Sequence, residues 1–273
     1  EAGRRGWTTV LGQIDPGPEH MVTQEQLAVA HPEFGAAPEG PPADYFEQWR
    51  RECERADWIV VNSEWSREAL MRAGVAAAKL KTIPLPYEAE SVQATDRSYP
   101  TAFSEGRPLR VLFVGTATVA KGVADLLLAL DRLAGVPIEV HLVGDVALQV
   151  PDRFKHDARV RWHGRVDRAA VADFYRSSDV LIFPSHSDGF GLVQIEAQAW
   201  RLPIVASRHC GRVVRHGETG FLLDEVSAAA IASVLARAAA EPETLARFSH
   251  EAGRAPRPGL DAFAAALIAL ETA

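Results

Sequence analysis

Residues 185–207 read SHSDGFGLVQIEAQAWRLPIVAS, and this segment contains a glycine-containing turn, a helical stretch and an apolar strand in succession. The turn precedes the predicted helix 191–200, and the predicted strand 202–207 follows it. Two carboxylates, Asp188 and Glu196, lie on either side of the Gly-Phe-Gly turn. Open α/β sheets bind ligands beyond the carboxyl ends of their strands, so the turn is a candidate binding site.

The same alternation of strands and helices continues upstream of this segment. A continuous apolar run at 109–115 predicts a strand buried in a parallel sheet, and further strands are predicted at 137–144, 158–164 and 179–185. Helical spacing predicts helices at 121–133 and 167–178. This order is typical of a doubly wound α/β sheet, and we predict one complete domain at 107–250. The remaining residues, 251–273, predict a C-terminal helix that packs back toward the N-terminal part.

The first 106 residues predict only part of a second α/β domain. Apolar runs at 8–14 and 57–62 predict strands, and helices are expected at 43–56 and after Ser63, which suits a helix N-cap. The six prolines within 15–42 predict a long irregular loop there. Polar residues without a sustained period predict a linker at 86–107.

Composition limits the class of protein. The chain has 273 residues, is 47% hydrophobic and carries a formal net charge of −7, which argues against binding through nucleic-acid phosphates. No apolar run reaches the ~18 residues of a membrane span. The start, EAGRRGW, lacks the apolar segment of a signal peptide. Two distant cysteines, Cys53 and Cys210, form no metal pattern and fit a reducing compartment, so we expect a cytoplasmic location.

Two further loops lie at predicted strand ends. In VGTATVAKG, residues 114–122, the glycine Gly115 ends a strand and Lys121 stands at a helix start, a pattern suited to phosphate. An ordinary strand–helix turn with a solvated lysine fits these residues equally well. Asp145, in the loop VGDVA at 143–147, is read first as a helix cap.

The two carboxylates of the opening segment also allow two interpretations. A carboxylate can hold sugar hydroxyls through charge-assisted hydrogen bonds. Alternatively, Glu196 faces solvent and Asp188 is a helix-entry residue. A glutamate on the apolar surface between Ile195 and Ala197 is costly without partners, which favours a binding role.

Taken in order, these motifs resemble the donor-binding domain of retaining nucleotide-sugar glycosyltransferases with the GT-B fold, of the glycosyl transferases group 1 or family 4 type. DGFGLVQIEAQAWRLPIVAS is similar to the family pattern EGFGLxxxEAxAxGxPVVA. VVRHGETGFLL (213–223) and VGTATVAKG are similar to the family's VVxxGxxGxLV and VGRLxxxKG segments. The resemblance covers roughly residues 56 to 250.

The resemblance implies a role for each matching residue. It places Glu196 at the ribose hydroxyls, Asp188 near the sugar and its anomeric carbon, and Lys121 at the diphosphate leaving group. Asp188 and Lys121 are therefore the candidate catalytic residues. The remaining candidate donor-binding positions touch the diphosphate, the sugar or the base, and they are Gly115, Thr116, Arg165, Val166, Gly189, Phe190, Gly191 and Leu192.

The implied reaction is transfer of a sugar from a nucleotide-diphosphate sugar to an acceptor, with retention of anomeric configuration. A lysine and helix-end N–H groups stabilise charge on the departing diphosphate without proton transfer, so neither a metal ion nor another cofactor is expected. A glycosidase would need two carboxyl groups flanking one bond, ~5–10 Å apart, which does not fit one carboxylate at the ribose. The acceptor is expected to be a carbohydrate, lipid or small molecule, and a peripheral membrane contact stays open.

The sequence departs from the family pattern at three matched positions. Thr116 replaces the family's arginine, Ala120 stands where several relatives carry a second basic residue, and Asp188 replaces glutamate. Arg208 or Arg212 are candidates to supply the missing charge. Losing one charged contact in the transition state costs ~2–4 kcal/mol if nothing replaces it, so reduced activity is one expectation.

Relatives also carry about 100 further residues ahead of the strand at 8–14, and many have a histidine where Gln13 stands. The chain is therefore expected to be a fragment of a longer protein. Two alternatives stay open beside the transferase: a non-catalytic nucleotide-sugar-binding module, and a nucleotide-sugar 2-epimerase on the same fold. The epimerase would need a catalytic histidine and acidic residues in the N-terminal half and leaves the Asp188–Glu196 spacing unexplained.

Overall fold

A computed structural model describes residues 7–88 and 96–271 of the chain. It contains two parallel sheets. The first sheet has three strands in the order β1-β2-β3, and the second has six in the order β6-β5-β4-β7-β8-β9. The predicted α/β class, with one complete doubly wound sheet and one partial sheet, is confirmed.

The first sheet and its helices occupy the N-terminal third. Its strands are β1 (Val10–Gln13), β2 (Trp58–Val61) and β3 (Leu80–Thr82). Its helices are α1 (Pro18–Ala30), α2 (Tyr45–Arg55) and α3 (Glu64–Arg72). Ser63 caps α3 as expected, because its hydroxyl accepts a hydrogen bond from the Ser66 N–H at 3.0 Å.

The second sheet holds the remaining strands. They are β4 (Leu109–Val114), β5 (Ile138–Val143), β6 (Val160–Gly164), β7 (Val180–Phe183), β8 (Ile204–Ala206) and β9 (Gly220–Leu222). The helices are α4 (Val123–Leu130), α5 (Asp152–Lys155), α6 (Arg168–Ser177), α7 (Leu192–Ala199), α8 (Ala228–Ala240), α9 (Pro242–Arg254) and α10 (Leu260–Ile268).

The strand order places a crevice between β4 and β7. The chain winds outward from β4 through β5 to β6, returns to β7 beside β4, and then winds the other way to β9. Loops leaving β4 and β7 therefore diverge at their carboxyl ends, which is where ligands bind in this architecture. The loop after β4 contains Lys121, and the loop after β7 contains Asp188.

Both faces of the central strands of the larger sheet are buried, as the continuous apolar run at 109–115 predicts. Along β4, Leu109, Val111 and Phe113 belong to a core that includes α4 and α8. Leu112, which points to the opposite face, belongs to a second core with Leu181 of β7. Alternate side chains of one strand thus fill two separate cores, so few positions of the strand tolerate a polar residue.

The prediction of a long irregular loop at 15–42 is wrong. Helix α1, with 13 residues, and a 3₁₀ turn at Pro32–Phe34 occupy this stretch. The six prolines flank the helix, and none lies inside it beyond Pro18 at the first helical position. Proline is favoured there because its missing N–H would have no helical partner and its fixed φ suits a helix.

The C-terminal segment contacts the first sheet's part of the molecule. The Trp58 indole N–H donates to the carbonyl of Leu270 at 3.0 Å, and the Tyr87 N–H donates to the carbonyl of Pro258 at 3.0 Å. Helix α9 extends from Pro242 to Arg254, so the domain end predicted at residue 250 lies inside this helix.

The predicted linker at 86–107 lies partly outside the described residues, which exclude 89–95. Its later part is fastened to the larger domain. The Arg97 guanidinium donates to the carbonyls of Tyr175 at 3.0 Å and Trp200 at 3.2 Å. Arg107 forms a bidentate pair with the buried Asp179, at 2.7 and 2.6 Å.

Candidate functional site

The Lys121 ammonium donates to Oδ2 of Asp188, joining the loops that follow β4 and β7. Both side chains are more than half-buried, with 32% and 14% exposed. The Phe183 ring lies 5.5 Å from the same ammonium. The second oxygen of Asp188 accepts the Phe190 N–H at 3.1 Å, which fixes the turn around the carboxylate. The crevice thus brings together the two candidate catalytic residues.

Two glycines allow the loops to approach this pair so closely. Gly122 has φ +72°, and a Cβ there would lie 1.9 Å from the carbonyl oxygen of Pro184. A Cβ at Gly189 would lie 1.8 Å from the carbonyl oxygen of Ile14, at the end of β1. Gly122 therefore joins two loops of the larger domain, and Gly189 joins that domain to the first sheet.

Glu196 lies on α7 and has a specific partner. The Tyr175 hydroxyl, on α6, donates to Glu196 Oε2 at 2.6 Å. Tyr175 is buried, and burial, together with the nearby Glu196 charge, raises its pKa, so the phenol stays protonated and donates. Glu196 is half-buried, and among the residues that the structure describes none hydrogen-bonds its other oxygen. The carboxylate is thus held in one orientation and retains capacity to accept further hydrogen bonds.

The first sheet closes one side of the crevice. The Ser66 hydroxyl donates to the carbonyl of Gly189 at 3.3 Å, and the Asn62 side chain donates to the carbonyl of Ile14 at 3.0 Å. The Trp65 ring packs on His209 at 4.6 Å between centroids. These contacts seat α3 and the end of β1 against the turn that carries Asp188.

Several buried polar atoms near the Asp188 turn have no hydrogen-bond partner within the described residues. They are His20 Nδ1, Trp65 Nε1, Ser187 Oγ and His209 Nδ1. His209 is tied to the turn directly, since its carbonyl accepts the Asp188 N–H at 2.9 Å. Buried polar groups are almost always hydrogen-bonded in native proteins, so such a group is expected beside a bound polar ligand.

His20, in the first turn of α1, faces the same charges. Burial lowers the pKa of His20, while the carboxylates of Asp15 and Asp188 oppose that effect and Lys121 adds to it. His20 is therefore kept neutral near neutral pH, with one ring nitrogen unpartnered. The sequence prediction misses this residue because it assigns 15–42 to a loop. Pro18 at the helix start is the signal that could have identified the helix.

The β4 loop is braced by the loop after β5. The Gly115 N–H donates to the carbonyl of Val143 at 2.9 Å, and the Ala117 N–H donates to the carbonyl of Asp145 at 2.7 Å. Thr116 is exposed at the mouth of this loop pair. The Asp145 side chain lies 4.0 Å from the guanidinium of Arg165, and both are exposed. The structure shows no helix-capping bond from Asp145 within the described residues.

The remaining candidates lie around these loops. Val166 is half-buried against the second core. Phe190 is buried and its carbonyl accepts the Gly211 N–H at 2.9 Å, while Leu192 is exposed at the start of α7 and Gly191 is its N-cap residue. Of the two compensating arginines, Arg208 lies 3.8 Å from Asp224 and Arg212 lies 3.4 Å from Glu68 of α3.

No sequence pattern identifies Tyr175 as a site residue, because α6 is a distant segment and its tyrosine fits an ordinary core position. Tyr87 is a second such residue: burial raises its pKa, and the Glu196 charge adds to the rise. Both tyrosines become visible as neighbours of Glu196 only when the chain is folded.

This combination of a doubly wound domain, a second α/β unit and a crevice between β4 and β7 that the second unit borders is of the GT-B type. Residues 108–241 match the family described as glycosyl transferases group 1, and the chain carries a domain of that family. Among the described residues, no helix is both long and apolar enough to cross a membrane.

Curated relatives include D-inositol 3-phosphate glycosyltransferases. That of Xylanimonas cellulosilytica is 32% identical over 236 residues, covering 78% of this chain and 56% of the relative. That of Rhodococcus erythropolis is 35% identical over 155 residues, covering 55% of this chain and 30% of the relative. The chain thus spans about half the length, or less, of these relatives.

Solved structures match nearly the whole chain. Anabaena HepE in complex with UDP and glucose has a TM-score of 0.72 at 20% identity, covering 100% of this chain and 73% of that one. Sucrose-phosphate synthase from Thermosynechococcus elongatus has a TM-score of 0.70 at 25% identity, covering 97% and 67%. At 20% identity, the similarity to HepE is a similarity of fold.

Proposed function

We propose that this chain is the donor-binding part of a retaining glycosyltransferase, which transfers a sugar from a nucleotide-diphosphate sugar to an acceptor hydroxyl. The observation that carries the proposal is the Lys121–Asp188 pair at the switch point between β4 and β7, within the glycosyl transferases group 1 domain. Relatives named as glycosyltransferases, and a similar fold solved with UDP and glucose, support it.

In this proposal Lys121 neutralises the diphosphate. Breaking the bond between the sugar and the phosphate places negative charge on the departing nucleoside diphosphate, and a fixed ammonium stabilises it. Lys121 is already fixed by Asp188 and by the ring of Phe183, so little ordering is needed when the donor binds. The incoming diphosphate shares the ammonium with Asp188, whose freed oxygen then accepts from sugar hydroxyls.

Glu196 holds the other end of the donor. Ribose presents two neighbouring hydroxyl donors, and a carboxylate accepts both through charge-assisted bonds. The Tyr175 hydroxyl occupies Oε2, so the ribose meets a carboxylate in a preset orientation. One carboxylate thus acts at each end of the donor, which differs from the paired carboxylates of a glycosidase.

The acceptor enters from the side of the first sheet. His20 and Trp65 on that side, and His209 at the turn, each have a buried polar atom with no hydrogen-bond partner in the described part of the chain. Hydroxyl groups of an acceptor can satisfy such atoms. No metal ion takes part in this scheme, since Lys121 supplies the positive charge at the leaving group.

The test is a donor-turnover assay. The chain is incubated with glucose conjugates of UDP, GDP and ADP and a panel of sugar, inositol and glycerol acceptors, and the released nucleoside diphosphate is measured. The proposal predicts release with one base, and loss of release in Lys121→Ala but not in the surface control Lys155→Ala, whose exposed side chain pairs with Asp152. Release that persists in Lys121→Ala contradicts the assigned role of the lysine.

A binding-only module is distinguished by the same experiment. Thr116, exposed where the family pattern has arginine, favours that second candidate because one phosphate-neutralising charge is missing. Binding of a nucleoside diphosphate without release from any donor would establish it. Thr116→Arg should then raise turnover if the missing charge is the cause.

A further inference from the structure

Three side chains from different parts of the chain converge beside the crevice: His31, Asp125 and His186. His31 follows α1, Asp125 lies in the first turn of α4, and His186 lies in the loop after β7. Their ligand atoms all lie within 4.8 Å of one another. We propose that these three residues form a binding site for a divalent transition-metal ion of the Zn²⁺ type.

Asp125 is the first reason. It is the only polar residue in α4, whose other residues are apolar, and it is buried. A buried carboxylate is costly unless it is paired or coordinates a metal. Among the described residues its charged or ionisable partners are the two imidazoles, and no lysine or arginine pairs with it. A cation held between the three groups supplies the compensating charge.

The geometry is the second reason. The Nε2 atoms of both histidines approach the same carboxylate oxygen, Asp125 Oδ2, at 2.7 Å from His186 and 3.5 Å from His31. Ligands of a tetrahedral zinc ion bound at 2.0–2.2 Å lie roughly 3.3 Å apart. The His31 distance fits as it stands, and His186 needs to withdraw by about half an ångström as the ion replaces the shared proton.

The donor set decides the class of ion. Two imidazoles and one carboxylate suit zinc and neighbouring first-row transition ions, whereas calcium and magnesium prefer oxygen ligands alone. Three protein ligands leave a fourth position for water or a small anion. The side chains are 14%, 6% and 15% exposed, in the order His31, Asp125, His186, so the site is shielded yet reachable.

An ion at this position would connect two parts of the molecule. His31 belongs to the part of the chain around the first sheet, while Asp125 and His186 belong to the larger domain. His186 lies two residues before Asp188, and Asp125 follows Lys121 in the adjacent loop and helix. An ion at this point ties α1 to both loops of the candidate donor site and takes no part in the chemistry proposed there.

The test is a calorimetric titration, in which Zn²⁺ alone is added to the chain after a chelator has removed any bound metal. Wild type should bind one equivalent. His31→Gln and His186→Gln should each weaken binding at least about 10-fold, since even replacing a residue that only hydrogen-bonds to a metal ligand costs that much. Two controls should bind as wild type: His250→Gln at an exposed position, and His163→Gln, which disrupts a separate histidine pair with His141.

Circular dichroism checks that the variants fold, and Co²⁺ provides a readout that needs no variant. A four-coordinate cobalt site absorbs intensely in the visible range, whereas adventitious octahedral cobalt absorbs weakly. Intense bands that disappear on adding one equivalent of Zn²⁺ support the proposal. Weak absorption, no stoichiometric Zn²⁺ binding to wild type, wild-type affinity in His31→Gln and His186→Gln, or loss of binding in His163→Gln would each overturn it.

Discussion

Replacing Tyr175 with phenylalanine removes one hydroxyl and tests the orientation of Glu196. The hydroxyl donates to Glu196 Oε2 at 2.6 Å from a buried ring. A hydrogen bond to a charged group contributes about 1.5–3 kcal/mol, and because Glu196 is half-buried, water replaces part of it. We therefore expect Tyr175→Phe to lower the free energy of unfolding by about 1.5 kcal/mol.

The same substitution should weaken nucleotide binding by a smaller and calculable amount. Without the hydroxyl, the Glu196 side chain must be ordered when the ribose binds, which costs about 0.5–1.5 kcal/mol. That range corresponds to roughly a 2- to 13-fold rise in Kd. Calorimetric titration with the preferred nucleoside diphosphate measures the affinity, and urea denaturation measures the stability.

Tyr99→Phe is the matched control. Its hydroxyl also donates within the larger domain, to the carbonyl of Asp179 at 3.1 Å, away from Glu196. It should cost about 0.5–1.5 kcal/mol of stability and leave nucleotide affinity unchanged. Unchanged affinity in Tyr175→Phe, or an equal loss of affinity in both variants, would refute the argument that Tyr175 positions Glu196.

Three further predictions concern pH, packing and thiol chemistry. Burial lowers the pKa of His20 and of His209, so below their usual pKa of about 6.5 the unfolded chain binds more protons than the folded chain. The melting temperature should therefore fall as the pH drops below about 6.5, and fall less in His20→Gln; a melting temperature that does not change with pH would contradict this. A Cβ at Gly189 would lie 1.8 Å from a backbone carbonyl oxygen, so Gly189→Ala should lower the free energy of unfolding, measured in urea, by about 1–3 kcal/mol. Gly106→Ala is the control, because its Cβ would have no atom within 4 Å, and equal unfolding free energies for the two variants would disprove the close approach. Burial raises the pKa of Cys210 to about 12, so a thiol reagent at about pH 8 should label Cys210 only after the chain unfolds. Rapid labelling of Cys210 in the folded chain would contradict this prediction.

The larger sheet could be predicted from the sequence because its central strands, β4, β7 and β8, are almost wholly apolar. Runs such as 109–115 leave no exposed face, so only a sheet covered on both sides accommodates them. The glycines at the strand ends then located the loops, and Lys121 and Asp188 could be nominated before their contact was known.

Helix α1 could not be predicted from composition, because a proline count does not distinguish prolines inside a helix from prolines at its ends. The pattern of α1 is also weak: among its residues only Leu27 is buried. With α1 misassigned as a loop, His20 and His31 could not be placed beside the crevice.

The partners of the site residues are long-range, and no local pattern encodes them. Tyr175 is 21 residues from Glu196, and Asp125 is 61 residues from His186. Each pair forms because two helices or loops are fixed by the sheet between them. Sequence motifs identify the carboxylates that a family uses, whereas the fold supplies the groups that orient them.

The central claim is that Glu196 and Asp188 hold different parts of one donor, and comparative titration of two ligands tests it most directly. Wild type, Glu196→Ala and Asp188→Ala are each titrated with the free nucleoside diphosphate and with its sugar conjugate. We predict that Glu196→Ala loses both ligands, by about 10-fold or more, because a charge-assisted contact to the ribose is removed. Asp188→Ala should retain the free nucleoside diphosphate and bind the conjugate more weakly. Equal effects of the two substitutions on both ligands, or tight nucleotide binding by Glu196→Ala, would contradict the account.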